Sequence, residues 1–174
     1  MANLSAEDRS QLYFSILLAD IANKQKLYDV AQSNYFYAAE QTGSKELSSR
    51  AAMVALIERD YNNSLEATEL WMASDPDDKN AYKIALIASL AQGHTEQATA
   101  YLHQLLPLLP ENEDEKLYEI LRMASFQEEA DFVAFFEQVN TPLESPHIAT
   151  AEAYLRLKSG QPLEQFARIQ QLLD

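Results

Sequence analysis

Four alanines recur along the chain at near-constant intervals: Ala31, Ala67, Ala98 and Ala130. Each stands early in a segment of helical periodicity and has an apolar residue four places on, namely Tyr35, Trp71, Leu102 and Ala134. A return of roughly 31–36 residues marks a stacked array of helix hairpins. The small side chain falls where paired helices approach most closely, since a larger one would push them apart. Each hairpin of such an array buries its apolar face only against its neighbours, so the array presents an extended surface.

The scarcity of turn formers agrees. There are only 3 Gly and 6 Pro in 174 residues, whereas sheet proteins use these residues at their many turns. An apolar fraction of 47% is that of a folded chain. The sequence therefore predicts an all-α fold, a right-handed α-solenoid of about five antiparallel helix hairpins. They form one repeat domain over residues 5–174 with no internal boundary.

The hairpins are expected at about 6–43, 45–76, 79–110, 114–140 and 147–173. Ser5-Ala6-Glu7-Asp8 resembles a capping box and starts the first helix, over 6–23. Leu12, Ile16 and Ala19 form one stripe of it, with Leu17 and Ile21 beside. Asn23-Lys24-Gln25-Lys26 turns the chain into a helix over 27–41, which Gly43 ends. A third helix over 45–59 is apolar around much of its girth. Tyr61-Asn62-Asn63-Ser64 is read as a turn, so the fourth helix, 64–74, comes out about one turn short before Pro76. Helices over 79–92 and 95–106 follow, the first ending at Gly93 and the second ended or kinked by Pro107. Later helices fall at about 114–124, 127–139, 147–158 and 162–173, with breaks at Pro142, Pro146 and Gly160.

Charge excludes one class of partner. The formal net charge is −14, and nucleic-acid binders neutralise phosphate with a surplus of Lys and Arg. Anionic membrane surfaces are disfavoured for the same reason. No apolar stretch approaches the roughly 18 residues of a membrane span, so direct insertion of this segment is not expected. The acid excess reads as a solubility feature. It is densest at Glu111, Glu113, Asp114 and Glu115, a solvated loop and helix start. With no cysteine, disulfides and thiol chemistry are absent.

No motif of known chemistry stands out. His94, His103 and His147 share no metal-binding spacing, and the isolated glycines build no phosphate cradle. The pair Glu128-Glu129 reads as chance adjacency in an acidic chain. No catalytic residue, metal or cofactor is expected. Among the aromatics, Tyr35, Phe36 and Tyr37 are consecutive, so they cannot all face inward on a helix. Trp71 and the run Phe132, Phe135 and Phe136 read as core.

The segment 79–112 resembles a tetratricopeptide repeat (TPR), with Tyr82 in its first helix, Gly93 at the turn, Ala98 at the close approach and Pro110 at the exit. Ala67, Trp71 and Pro76 fit the same unit in the preceding hairpin, as do Leu18, Ala19, Tyr28, Ala31, Tyr35 and Ala38 in the first. Leu12-Tyr13, Leu17 to Ala22, Tyr28 to Ala31 and Asn34-Tyr35, continued by Leu70-Trp71 and Ser74 to Asp77, also resemble the amino-terminal repeats of bacterial outer-membrane TPR lipoproteins. That group comprises adaptors that bind a periplasmic carboxyl-terminal processing protease and help deliver cell-wall hydrolases to it. The resemblance implies a non-enzymatic adaptor, a protein or peptide partner and a periplasmic, outer-membrane-associated location for the whole protein. A cytoplasmic assembly scaffold and a helical domain of a cell-wall lytic enzyme remain as alternatives.

In arrays of this family the first helix of each pair lines a concave groove. The repeat frame projects Tyr13, Asp20 and Asn23 of the first unit into it, with Arg59 of the second and Asn80 and Lys83 of the third. In many proteins of that family a Lys and Asn pair in this groove grips a peptide carboxylate, and Asn80 and Lys83, three apart on one helix, resemble such a pair. Stacked repeats also leave apolar faces at their ends, which leaves pairing of two copies open.

Overall fold

Helices account for nearly all of the backbone described by a computed structural model of the chain, which covers residues 5–112 together with Glu115, Glu119 and Met123. The order is α1 (Ala6–Lys24), α2 (Tyr28–Thr42), α3 (Lys45–Ile57), α4 (Tyr61–Ser74), α5 (Lys79–Ala91) and α6 (Thr95–Leu105). A 3-10 turn, Leu106–Leu108, follows and contains Pro107. Among the described residues there is no strand. Glu115, Glu119 and Met123 are helical. The rest of the expected fourth hairpin, with Ala130, Ala134 and Pro142, and all of the fifth, with His147 and Gly160, lie outside the described residues.

Local chemistry sets the helix ends. The Ser5 hydroxyl accepts the Asp8 N–H at 3.1 Å, and the Asp8 carboxylate accepts the Ser5 N–H at 3.2 Å, so the capping box forms. Gly43 closes α2 in the left-handed region at φ 63°. Asn112 accepts the Glu115 N–H at 3.1 Å, the geometry of a helix N-cap.

One element departs from expectation. Tyr61-Asn62-Asn63 is not a turn but the first turn of α4, which has 14 residues and is not short. Asp60 is the reason: its carboxylate accepts the Asn63 N–H at 3.3 Å and the Asn63 amide as well, capping the helix earlier than the asparagines suggest.

The hairpin turns share one construction. Lys26, Arg59 and Gly93 all sit in the left-handed region, at φ 60°, 61° and 73°. The next N–H reaches back beyond a full helical turn in each case: Leu27 to Ala22, Asp60 to Ala55 and His94 to Ser89, all at 2.9 Å. The new helix then begins with Ala31, Ser64 and Ala98 donating to Leu27, Asp60 and His94. Lys26, Arg59 and Gly93 therefore repeat more evenly than the alanines do, with the period of a helix-hairpin array. The frame also corrects the alanine register. The equivalents of Ala31 and Ala98 include Ser64, not Ala67, which lies almost one turn further along α4. Ala31, Ser64, Ala67 and Ala98 are all fully buried.

The chain falls into two compact units, 1–88 and 89–174, where the sequence reading has one uninterrupted array. Contacts in hairpin arrays are confined to neighbours, so such partition is natural to them. In the first unit α1 packs on α2, α2 on α3 and α3 on α4. Its core joins Ala19, Ala22, Ala31, Tyr35, Ala51, Ala52, Val54, Ala67, Trp71, Ala81 and Ile84. Most of these are alanines, the composition that closely approaching helices require. Phe36 and Tyr37 are half-buried, so Tyr35 alone of the three consecutive aromatics is fully inside. In the second unit α6 buries Ala98, Leu102 and Leu105, a single helical stripe.

The loop after α4 is pinned by charge. Lys45 at the start of α3 pairs with Asp75 and Asp78, each at 2.8 Å. Asp78 also accepts the Trp71 indole N–H at 3.2 Å and the Asn80 N–H at 3.0 Å, and the Tyr82 hydroxyl donates to the Pro76 carbonyl at 2.8 Å. Partial burial pushes the Asp78 carboxyl up, but the Lys45 ammonium, the Asn80 N–H and the indole outweigh it and hold the carboxyl below its ordinary value. The unfolded chain therefore binds a proton at higher pH than the folded chain does. The stability from this carboxylate is complete above its unfolded value, near 4, and is lost as pH falls through the folded value. We expect the thermal midpoint to drop between pH 5 and pH 3, and Lys45→Met to flatten that drop while lowering the midpoint at pH 7. An unchanged acid profile in Lys45→Met contradicts this assignment.

Candidate functional site

Asp20 and Arg50 link α1 to α3 on one surface of the first unit. The Arg50 guanidinium donates to Asp20 Oδ1 at 2.7 Å, across 30 residues of sequence. The same oxygen accepts the Tyr35 hydroxyl of α2 at 2.6 Å, and the guanidinium stands 5.6 Å from the Tyr35 ring centroid. Three successive helices thus meet at one carboxylate oxygen. Burial first, and then the Asp20 hydrogen bond, push the Tyr35 phenol above its usual value, so it remains a donor across the physiological range.

The ion pair itself is wet, with the Arg50 and Asp20 side chains 53% and 41% exposed. Around it stand apolar side chains in water: Tyr13 on the α1 stripe that carries Asp20, and Met53 and Ile57 on the α3 stripe that carries Arg50. Tyr13 is 69% exposed, Ile57 60% and Met53 53%. Single exposed apolar residues are ordinary, but several on two linked helix stripes beside one charge pair make an apolar patch of the kind that partners cover. The face can hold an apolar side chain of a partner and offers a carboxylate and a guanidinium for hydrogen bonds at its centre.

The groove residues projected from the sequence meet different fates. Tyr13 and Asp20 lie on the α1 side of this face, although Asp20 is already bonded within the fold. Asn23 is exposed one turn from Asp20. Arg59 is the left-handed turn residue between α3 and α4, exposed and beyond the end of the α3 stripe. Asn80 is exposed in the first turn of α5. Lys83 is the correction. It is only 5% exposed, and every residue from Ala81 to Leu90 is buried, so it offers no open grip on a peptide carboxylate. The repeat positions Tyr35 and Trp71 are buried, Gly93 makes the turn, and Pro110 follows the 3-10 segment.

Sequence reasoning passed over Arg50, Met53 and Ile57. Their spacing of three and four places them on one helical stripe, a signal masked because α3 is apolar almost all round. Among the described residues no cluster of three or more metal-ligating side chains occurs, and no helix is long and apolar enough to cross a membrane. His94 occupies the N-cap position of α6 without a side-chain capping bond, and His103 lies in its last turn.

No family model matches the chain. Over 93 residues, 53% of its length, the chain is 30% identical to the TPR repeat-containing protein PA4667 of Pseudomonas aeruginosa, and it spans 16% of that protein. The solved structure of the MamA protein superposes with a TM-score of 0.58 at 14% identity, covering 94% of this chain and 90% of that one. A thermophilic TPR protein of Thermus thermophilus, TTC0263, gives a TM-score of 0.46 at 20% identity over 95% of this chain and 98% of its own. The likeness to the MamA protein shows the fold, a stack of helical hairpins. The sequence likeness to a TPR-containing protein, joined to the even recurrence of the turns at Lys26, Arg59 and Gly93, supports the tetratricopeptide reading of those hairpins.

Proposed function

We propose that the chain is a non-enzymatic protein-interaction scaffold whose α1/α3 face docks an extended segment of a partner protein. The exposed apolar residues around the solvent-facing Asp20–Arg50 pair carry this reading. Buried apolar anchors contribute most of the affinity at such surfaces, while the wet ion pair sets orientation. The resemblance of residues 10–110 to the lipoprotein adaptors further supports an envelope address. There the chain would be one part of a longer adaptor that brings cell-wall hydrolases to a carboxyl-terminal processing protease.

Affinity capture from an envelope extract, with identification of bound proteins by mass, tests the reading. Recovery of a processing protease supports the adaptor, and recovery of only ribosomal or cytosolic proteins overturns it. The site is tested in the same experiment. Met53→Asp combined with Ile57→Asp alters two solvent-facing side chains and leaves the core intact. We expect capture to fall at least tenfold with an unchanged circular-dichroism melt. Undiminished capture places docking elsewhere.

A further inference from the structure

The side of α1 that faces away from α2 is apolar and uncovered, and α3 shows what such a face does when it is covered. The hairpin frame aligns α1 with α3 by setting the turn residue Lys26 on the turn residue Arg59. In α1, which packs on α2, the buried residues are Leu12, Ser15, Ala19 and Ala22. In α3, which packs on α2 and α4, they are Ser48, Ala51, Ala52, Val54 and Ala55. Ser48, Ala52 and Ala55 are the counterparts of Ser15, Ala19 and Ala22. The additional pair, Ala51 and Val54, with half-buried Leu47 beside them, is the stripe that the preceding helix α2 covers. Its counterparts on α1 are Leu18, Ile21 and Phe14. These side chains are at least as large, yet only Leu18 is half-buried, while Phe14 is 59% exposed, Ile21 45% and neighbouring Leu17 60%.

Charge indicates what covers this stripe. The chain as a whole carries −14, which repels a second copy. The α1 segment does not share that excess: Glu7, Asp8 and Asp20 are balanced by Arg9, Lys24 and Lys26. The balance is also polar: Glu7 and Asp8, offset in part by Arg9, leave the first turns of α1 net negative, and Lys24 in its last turn with Lys26 just beyond makes the other end positive. Two α1 helices laid antiparallel bring the acidic end of each to the basic end of the other. A two-fold pair needs this self-complementarity.

We propose that α1 is a homodimerisation surface, on which two copies pack antiparallel through Phe14, Leu17, Leu18 and Ile21. The two-fold axis passes near Leu17 and Leu18. Sedimentation equilibrium of the full chain should show a concentration-dependent rise toward twice the 19.7 kDa monomer mass. Phe14→Asp with Ile21→Asp should weaken association at least a hundredfold and leave the melt of the dilute monomer unchanged, because both side chains stand in solvent in the monomer.

Direction is read by cross-linking, which is simple in a chain with no native cysteine. With a short bis-maleimide, Leu17→Cys should link to itself. Ser10→Cys and Gln25→Cys should each fail to self-link, because an antiparallel pair separates equivalent ends by about 22 Å at about 1.5 Å per residue. Mixed together, those two variants should link to each other. A chain that stays monomeric at several hundred micromolar overturns the proposal and leaves the stripe to a helix of different sequence. Self-linking at Ser10→Cys and Gln25→Cys, or a dimer that survives the double aspartate variant, overturns it equally.

Discussion

Replacing Trp71 with alanine lowers the unfolding free energy by about 3–5 kcal/mol, the range for large aromatic-to-alanine changes in a packed core. Trp71 is 4% exposed and lies in the central cluster of the first unit. Its neighbours belong to helices held at fixed approach by alanines, so they cannot close the void by moving inward. The change also removes the indole N–H from Asp78, leaving that carboxylate with its Lys45 and Asn80 partners. Trp71→Phe keeps most of the bulk and isolates the lost hydrogen bond, and it should cost about 1 kcal/mol. Since domains are stable by only about 5–15 kcal/mol, the alanine variant will populate unfolded chains well below the parent midpoint. Urea titration followed by far-ultraviolet circular dichroism measures the difference, the sole tryptophan being absent from the variant. A loss under about 1 kcal/mol, too small for a cavity of this size, would contradict the placement.

Ser64→Leu is the second large effect, at about 2–4 kcal/mol. Ser64 occupies the close-approach position of the second hairpin and has no exposed surface. Its hydroxyl donates to the Ala52 carbonyl of α3 at 3.0 Å, stitching α4 to its hairpin partner. Leucine there overfills the crossing, costing about 1–3 kcal/mol, and removes a hydrogen bond with a net value of about 0.5–1.5 kcal/mol. Ser64→Ala loses only the second contribution. A small loss for alanine with a large one for leucine is the signature of a steric limit. A leucine variant as stable as the parent would show that the helices are not pressed together at this point.

The helices and their order were legible because apolar periodicity, caps and turn residues agree along residues 5–112. Register was less legible. The sequence offers Ala67 as a match for Ala31 and Ala98, but the frame assigns Ser64, because smallness rather than apolarity is what the crossing demands. Arg59 and Lys26 hide the turn frame for a similar reason. Left-handed backbone favours glycine, and only Gly93 advertises it. The candidate face was half legible. Tyr13 and Asp20 follow from the repeat, but whether a position on α5 meets water is decided by packing from several directions, which periodicity along one helix does not encode. Lys83 fell on that gap, and Arg50 was missed because its partner lies 30 residues away.

The shared turns conceal a redistribution of volume inside successive hairpins. One turn apart in the second helix of each pair, the first hairpin places Tyr35 and Ala38, the second Thr68 and Trp71, the third Leu102 and Leu105, and all six are buried. Bulk moves from one site to the other while the backbone path stays the same. The hairpins are therefore not interchangeable modules. Ala38→Trp would preserve the loop and still overfill the first hairpin, an indole standing where the chain provides room for a methyl group.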